Sequence, residues 1–373
     1  MPVPRKVLHV IDSLDLGGAQ TFLLDLVKHH DRSLYLPEVA AMHGRGVFAS
    51  AFEEAGIPVH SLSPGKFPPW YLPNFWRLMT EGYDILHFHL FGANLCAKPL
   101  AILAGHPGII VHDQCNDASR DKNPFLLAAD ALWNRCSDRV IAVSESTRRY
   151  LLANEDLGDC KVTTIPNGID TEAFHPASEQ ERQHARELLG IPSGAFMIGG
   201  VGRLVPQKNF ALYLKVADAV LKDHPEAIFV IAGTGPQDPE LRKQAEDLKI
   251  ARSVRFLGHV TDRKALFHAM DILLLTSDFE GTPMVLLEAM SSGVPVVATA
   301  VDGIAEVCRD RIDSLLVPRG DLTAFQQAIS DLIRDGCQRE SLVAAGRRTI
   351  LEQYDIRQIA RRVENVYSGI IQA

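Results

Sequence analysis

The sequence predicts an α/β protein of two doubly wound domains, each built on a parallel sheet. Its 373 residues are enough for two domains of about 100–200 residues each. Short apolar runs alternate with stretches of helical periodicity, which is the pattern of parallel strands joined by crossover helices. The alternation stops at a polar stretch near residue 170 and then restarts. The pattern therefore predicts two halves of similar length.

The first half begins with a β-branched run at 7–11, followed by a Gly-Gly loop and a helix. One face of that helix is apolar, with Ala19, Phe22, Leu23, Leu26 and Val27 at helical spacing. Further strands are expected at 37–42, 59–62, 85–88, 109–111 and 140–143. Helices are expected at 48–55, 124–136 and 146–153, with Ser144 as the N-cap of the last.

A break in the alternation follows, which we interpret as the connection between the domains. It contains turn-forming residues at 163–170 and a charged stretch at 178–186. Six strands are expected after it, at 197–201, 228–232, 254–257, 272–275, 294–298 and 314–317. Helices are expected at 210–221 and 283–291, and the tail at 322–373 is expected to be helical throughout.

Charge and cysteine content exclude several classes of protein. With 38 Lys and Arg against 46 Asp and Glu, the net charge is −8, so a large nucleic-acid footprint is not expected. The 6 cysteines form no C-x-x-C pair, which favours reduced thiols over a zinc or redox framework. The run at 7–11 is too short for a signal peptide, and no run reaches the ~18 apolar residues of a membrane span. We expect a cytoplasmic protein, at most peripheral at the inner face of the membrane.

Glycines follow several of the expected strands, and ligands of doubly wound sheets bind at the carboxyl ends of strands. Gly17 and Gly18 precede a helix, where a phosphate can approach backbone N–H groups at an electropositive N-terminus. A tight strand–helix turn is the alternative. The pairs Gly200-x-Gly202 and Gly233-x-Gly235 also follow strands. Neither completes a dinucleotide fingerprint, so an NAD site is not favoured.

Histidines lie on two strands of the first half. His87 and His89 are two residues apart, so they share a face of their strand. A metal pair is conceivable, but no carboxylate or third ligand is near in sequence, and a core histidine is favoured for His87. His112 is expected at a strand end, opening a polar loop suited to substrate recognition. The alternative is a loop that satisfies its own backbone.

Two cations flank a loop after the first strand of the second half. Arg203 and Lys208 lie at the entrance of a helix and form a natural clamp for a diphosphate. Solvated surface charge is the alternative, but the position at a carboxyl end of a strand favours the clamp.

Two glutamates lie around the start of the helix expected at 283–291. Pro283 suits its first turn, so the N–H groups of Met284 and Val285 are free of helical partners. Glu280 precedes the helix and Glu288 lies inside it, among apolar neighbours. A carboxylate can accept hydrogen bonds from two hydroxyls, which suits sugar or ribose diols. The alternative is a capping acid and a surface glutamate.

The spacing of Glu280 and Glu288, E-x7-E, resembles the signature of retaining glycosyltransferases of family 4, which have the GT-B fold. Six further motifs resemble that family, in order, over nearly the whole chain. They are Gly17-Gly18-Ala19-Gln20, Asp84-Ile85-Leu86-His87-Phe88-His89, Ile165-Pro166-Asn167-Gly168-Ile169-Asp170, Gly202-Arg203 with Lys208, Leu257-Gly258, and Glu288-Ala289-Met290-x-x-Gly293.

The resemblance implies two Rossmann-like domains with a cleft between them. The acceptor-side domain would span 1–170 and be completed by a C-terminal helix at 355–373 that crosses back to it. The donor-side domain would span 171–354.

The resemblance also implies a role for each matching residue. Arg203 and Lys208 would neutralise the diphosphate of a nucleotide-sugar donor. Gly18 and the amides of Met284 and Val285 would bind phosphate oxygens. The remaining roles are ribose binding by Glu288, binding of the transferred sugar by Glu280, contact with the base by Leu257 and Val260, and contact with the sugar near its reacting carbon by His112. Gly17, Gly233 and Pro283 complete the expected donor site, which contains no metal ligand.

The expected activity is therefore retaining transfer of a sugar from a nucleotide sugar, UDP- or GDP-linked, to a hydroxyl acceptor. The pathway would be biosynthesis of a polysaccharide, glycolipid or other glycoconjugate. No D-x-D pair follows a strand, so the reaction is expected to need no metal or cofactor. We expect front-face transfer, because no carboxylate is evident as a nucleophile. A nucleotide-sugar 2-epimerase of the same fold and a non-catalytic nucleotide-sugar-binding protein are the alternatives.

The acceptor is not specified by these motifs. The segment at 65–76 is unusually aromatic, which suits sugar stacking or a membrane interface as well as ordinary core packing. If the acceptor is lipid-linked, this surface and Arg77 are where we expect it to bind.

Overall fold

The computed structural model describes residues 3–64, 71–106, 108–114 and 123–371. The chain divides into two compact units, Met1–Gly168 with Ile356–Ala373, and Ile169–Asp355. Each unit contains one parallel sheet flanked by helices. The predicted fold class is confirmed.

The sheet of the first unit has seven strands in the order β3-β2-β1-β4-β5-β6-β7. The strands are β1 Arg5–Ile11, β2 Tyr35–Ala41, β3 Val59–Ser61, β4 Ile85–His89, β5 Ile109–Asp113, β6 Arg139–Ala142 and β7 Val162–Thr164. All pairs are parallel. The strand order reverses between β1 and β4, and such a switch point opens a crevice at the carboxyl ends.

The helices of the first unit join these strands and pack on the sheet. They are α1 Gly18–Lys28, α2 Ala49–Glu54, α3 Tyr71–Met79, α4 Leu90–Cys96, α5 Lys98–Leu103, α6 Pro124–Arg135, α7 Glu145–Glu155 and, from the end of the chain, α16 Ile356–Ile371. Ser144 caps α7 as predicted, accepting a hydrogen bond from the Thr147 amide at 3.1 Å.

The expected return of the last helix to the first domain is confirmed. Helix α16 buries Ile356, Ile359, Ala360, Val363 and Tyr367, which lie on one helical face. Its outer side also contacts the unit, because Arg362 Nη2 donates a hydrogen bond to the Thr164 carbonyl at 2.7 Å.

The sheet of the second unit has six strands in the order β10-β9-β8-β11-β12-β13. They are β8 Phe196–Val201, β9 Ala227–Ala232, β10 Val254–Gly258, β11 Ile272–Leu275, β12 Val296–Thr299 and β13 Leu315–Val317. The order reverses between β8 and β11. All four residues of β11, which are isoleucine and leucine, and the four central residues of β8, two of them glycines, are buried, as expected for a sheet covered on both faces.

The helices of the second unit are α8 Glu179–Leu188, α9 Phe210–Asp223, α10 Asp238–Asp247, α11 Arg263–Ala269, α12 Met284–Ser291, α13 Asp302–Val307, α14 Leu322–Arg334 and α15 Gly336–Gln353. The expectation of a continuous helical tail is thus correct in type, but the tail is divided. Asp335 ends α14 and caps α15 through the Gln338 amide.

The charged stretch at 178–186, interpreted as a connection, is instead the start of α8. Ser178 and Glu181 form a capping box at its N-terminus. Two of its arginines, Arg182 and Arg186, donate to the carboxylate of Asp271, each at 2.6 Å. Helix α8 is therefore held largely by ion pairs and has little of the apolar stripe by which a helix is recognised in a sequence. For this reason the sequence did not predict it.

The interpretation of residues from 163 onward as turn was also wrong at its start. Val162–Thr164 forms β7, the edge strand of the first sheet, paired with β6. An edge strand of 3 residues carries too little alternation to be recognised. No helix within the described ranges is long and apolar enough to cross a membrane.

Candidate functional site

The carboxyl ends of β8 and β11 hold the predicted polar residues of the second unit. The segment after β8 contains Arg203 and the 3-10 turn Pro206–Lys208. The segment after β11 contains Glu280 and leads into α12. Because β8 and β11 are parallel neighbours, their carboxyl ends meet at the same edge of the sheet, at its switch point.

Two glycines let the neighbouring strand ends approach each other closely. Gly202 follows β8 with φ +155° and Gly233 follows β9 with φ +150°. A Cβ on Gly233 would lie 1.8 Å from the carbonyl oxygen of Gly202. Gly233 is therefore required by packing, and its predicted contact with a donor stays a prediction.

Lys208 is held against the end of β11. Asn209, with φ +48°, caps α9 and ends the 3-10 turn. Thr276 Oγ1 donates a hydrogen bond to the carbonyl of Lys208 at 3.1 Å or to that of Asn209 at 3.0 Å. The Lys208 ammonium then lies 2.5 Å from Glu280 Oε1. These contacts fix a cation at the mouth of the switch point.

Glu280 is buried, with 6% of its surface exposed. Its Oε1 atom accepts hydrogen bonds from both Lys208 and Ser277, the latter at 2.6 Å. Its own amide donates to Asp302 Oδ2 at 3.2 Å. No described residue donates to Oε2, so this oxygen is the one that can accept a hydrogen bond from a ligand. The arrangement orients the carboxylate and leaves half of its acceptor capacity unused.

Helix α12 presents an electropositive end beside Glu280. Pro283 is the N-cap and the helix begins at Met284, one residue later than predicted. The amides of Met284 and Val285 therefore lie in the first turn, where backbone N–H groups have no helical acceptor. Such a turn favours a negatively charged group nearby.

Glu288 lies in the second turn of α12 and is fully buried. Its Oε2 atom accepts a hydrogen bond from Arg263 Nη2, while Oε1 has no partner among the described residues. Burial raises the pKa of the Glu288 carboxyl, and the Arg263 guanidinium acts against that rise. A buried carboxylate oxygen without a donor is costly, which indicates that a hydroxyl or amide of a ligand completes it.

The other predicted residues of the second unit lie at the same edge of its sheet. Arg203 is exposed, and it makes no ion pair with any residue in the described ranges. Leu257 lies in β10 and Val260 two residues beyond that strand, both partly exposed. Their contacts with a diphosphate and a base stay predictions.

Three predicted residues belong to the first unit. Gly17 is the N-cap of α1, and Gly18 is its first residue. His112 was expected in a loop but lies inside β5, with no exposed surface and with Phe22 at 5.3 Å between ring centroids. Burial lowers the pKa of His112 to about 3, so its imidazole is neutral at physiological pH. The predicted donor contacts of Gly17 and Gly18 and the predicted sugar contact of His112 stay predictions.

The structure adds two residues that the sequence analysis did not single out. Arg263 pairs with Glu288, 25 residues further along the sequence. Ser277 donates a hydrogen bond to the same oxygen of Glu280 that Lys208 contacts. Arg263 is isolated in the sequence, and no spacing rule connects it with Glu288. Ser277 lies in the loop before Glu280 and could have been considered as a local partner.

Comparison with known proteins gives a consistent picture. Residues 181–349 match the family model described as Glycosyl transferases group 1, and residues 16–173 match Glycosyltransferase Family 4. The chain is 30% identical over 400 residues to a D-inositol 3-phosphate glycosyltransferase of Salinispora arenicola, covering 93% of this chain and 88% of that protein.

Two further similarities extend this comparison. A UDP-Gal:alpha-D-GlcNAc-diphosphoundecaprenol alpha-1,3-galactosyltransferase of Escherichia coli is 27% identical over 68% of this chain and 67% of its own length. Among solved structures, Anabaena HepE in complex with UDP-glucose has a TM-score of 0.87 at 23% identity, covering 98% of this chain and 99% of HepE.

Proposed function

Because this chain belongs to glycosyltransferase family 4 and has the GT-B fold, we propose that it moves a sugar from a nucleoside-diphosphate sugar to a hydroxyl acceptor. The pathway would be the biosynthesis of a polysaccharide, glycolipid or other glycoconjugate. The observation that carries the proposal is the contact of Lys208 with Glu280 beside the first turn of α12. It combines a cation, an oriented carboxylate and unpaired amides at a switch point.

The donor is a UDP- or GDP-linked sugar. A UDP-linked donor is supported by the UDP-galactose donor in the name of the E. coli relative and by the UDP and UDP-glucose complexes of HepE. Glu288 would hold the ribose hydroxyls through its unpaired Oε1, with Arg263 donating to the other oxygen. Leu257 and Val260 would flank the base.

Charge stabilisation is the main catalytic effect in this proposal. Breaking the anomeric bond leaves a nucleoside diphosphate with growing negative charge. Arg203, Lys208 and the amides of Met284 and Val285 stabilise that charge in place of a metal ion. The exposed guanidinium of Arg203 is available to an incoming phosphate.

Retention of the anomeric configuration would come from front-face attack within an ion pair. Glu280 is held by Lys208 and Ser277 on one oxygen, which suits binding of a sugar hydroxyl through the other. An oxygen of the departing phosphate would take the proton of the acceptor hydroxyl. His112 would contact the donor sugar near its reacting carbon as a neutral imidazole.

The acceptor would be lipid-linked, and peripheral membrane contact would occur through the first unit. The support is the exposed Trp76, next to the exposed Arg77 on α3. Phe75 of the same aromatic segment is buried, so part of the segment is ordinary core, and residues 65–70 lie outside the described residues. The names of two relatives also give lipid acceptors. They are the E. coli relative and a Mycobacterium leprae phosphatidyl-myo-inositol mannosyltransferase, which is 28% identical over 95% of this chain. Trp76→Ala should reduce co-sedimentation with anionic vesicles, and unchanged partitioning would reject membrane contact.

A donor panel followed by a transfer assay tests the function. Thermal shifts with UDP-, GDP- and ADP-sugars identify the donor, and release of the nucleoside diphosphate is then measured with and without candidate acceptors. Transfer predicts acceptor-dependent release that Glu280→Gln abolishes. Interconversion of donor sugars without acceptor would indicate the epimerase. Tight binding without turnover on any acceptor would indicate a binding protein.

A further inference from the structure

A cluster of buried imidazoles lies in the first unit. His9 is on β1, and His87 and His89 are on β4. Their exposed fractions are 0%, 0% and 1%. Buried histidines normally satisfy both ring nitrogens, so three of them in mutual contact require an explanation.

The sheet topology produces this cluster. β1 and β4 are parallel neighbours, and His9 stands directly opposite His87 in their register. His89 is two residues further along β4, so its side chain points to the same face as that of His87. One ring nitrogen from each histidine lies within 4.8 Å of the others. His9 is the third ligand that the sequence near His87 and His89 lacks.

The ring nitrogens are poorly satisfied by the protein itself. His9 Nδ1 and His89 Nε2 are 3.0 Å apart and share one proton. Neither His9 Nε2 nor His87 Nε2 has a hydrogen-bond partner in the described part of the chain. Neutral imidazole is the form of histidine that binds a metal.

The surroundings resemble the outer shell of a metal site. Tyr367 Oη lies 2.8 Å from His87 Nδ1, which fixes that ring with Nε2 directed away from the tyrosine. Metal-binding histidines characteristically donate their second N–H to an outer group of this kind. His30 packs beside the cluster, with its ring 5.7 Å from that of His9, and bonds the Glu364 carboxylate at 3.1 Å.

We propose that His9, His87 and His89 bind one transition-metal ion of the class that prefers imidazole, with Zn²⁺ as the probe ion. A tetrahedral ion with metal–nitrogen bonds of about 2.0–2.1 Å separates two ligand nitrogens by about 3.3 Å. The His9–His89 separation already approaches that value, and a small displacement of the His87 side chain that keeps its bond to Tyr367 brings in the third ligand. The proton shared by His9 and His89 moves to the outer nitrogen of its own ring, so both stay neutral.

This ion would be structural, and no step of the proposed transfer uses it. It would join β1 to β4 near their carboxyl ends, and through Tyr367 it would tie α16 to the sheet. The charged residues of the proposed function all lie in the second unit, and of its residues only His112 packs against the cluster, with its ring centroid 5.4 Å from that of His87.

The test uses the full-length chain without an affinity tag, stripped with a strong chelator and then titrated with Zn²⁺. We expect one equivalent per chain, and X-ray absorption of the loaded protein should show three imidazole ligands at about 2.0–2.1 Å. His87→Gln and His89→Gln should each lose the stoichiometric site. His184→Gln, which removes an exposed histidine, should keep it.

Tyr367→Phe keeps the ligands and removes only their outer partner, so it should weaken binding about tenfold to a hundredfold. Substoichiometric uptake by the wild-type chain would overturn the proposal. An X-ray absorption spectrum that lacks three imidazole ligands would also overturn it, and this measurement uses only the wild-type chain. Uptake by His89→Gln equal to that by His184→Gln would also overturn it. Donor binding is measured separately, so failure of the metal proposal can be distinguished from failure of the proposed function.

Discussion

The substitution Lys208→Met removes a cation that lies 2.5 Å from Glu280 Oε1, with only 18% of the lysine side chain exposed. Our mechanism places this cation against the departing diphosphate. At an effective dielectric constant of about 20, a unit charge about 5 Å from developing negative charge contributes about 3 kcal/mol. Loss of one preorganised donor in an oxyanion site costs about 2.7–4 kcal/mol, which agrees. We therefore expect kcat/KM to fall about 100- to 1,000-fold.

The assay is release of nucleoside diphosphate from the identified donor, followed to obtain kcat and KM separately. Charge stabilisation in the transition state predicts a loss concentrated in kcat, whereas loss of uniform donor binding would raise KM alone. Lys208→Arg keeps the charge but changes its geometry, so it should be intermediate. Lys222→Met is the matched control, because Lys222 is exposed and pairs only with Asp218 on the surface of α9.

The same substitution leaves the buried Glu280 with Ser277 as its remaining side-chain partner. The double variant Lys208→Met/Glu280→Gln removes this unpaired charge and should recover thermal stability without recovering activity. Activity of a folded Lys208→Met chain within about threefold of wild type would refute the assigned role of Lys208. Recovery of activity in the double variant would refute the assigned roles of both Lys208 and Glu280.

Three further predictions concern stability and reactivity. Asp271→Ala strips the buried Arg186 of its carboxylate partner and should lower the free energy of unfolding by about 3–5 kcal/mol in urea titrations. Gly233→Ala forces a Cβ onto the backbone of the adjacent strand end, 1.8 Å from an oxygen, and should lower the melting temperature and abolish donor-induced thermal shifts together. Burial raises the pKa of the Cys308 thiol to about 12, so at pH 8 it should stay protonated and unlabelled by iodoacetamide, while the exposed cysteines react.

Matched controls accompany these predictions. Asp218→Ala breaks the surface pair with Lys222 and should cost less than about 1 kcal/mol, so an equal effect of the two aspartate substitutions would contradict the first prediction. Gly194→Ala meets no atom within 4 Å and should be neutral. Labelling of Cys308 as fast as Cys136 in the folded chain would contradict the third.

Most of the architecture follows from local pattern. The buried parallel strand β11 is an uninterrupted apolar run, and β8 contains only apolar residues and two glycines, so both are recognisable from a short stretch of sequence. Two of the elements that were not listed in advance, α8 and β7, lack such a pattern. Helix α8 binds the second unit mainly through arginines that pair with Asp271, and β7 is an edge strand of 3 residues. Their stability comes from partners elsewhere in the chain, which local periodicity does not record.

The sequence also determined which residue types occur at the carboxyl ends of strands, and so the chemical class of the site. The tertiary structure decided which of them meet. Lys208 and Glu280 are 72 residues apart, and Arg263 finds Glu288 only because α11 and α12 fold beside each other. His9 joins His87 and His89 through the pairing of β1 with β4. Parallel strands that pair are joined by long crossovers, and hydrogen bonding between the strands sets their register. The sequence therefore shows which residues end each strand, but it does not show which strand ends lie side by side.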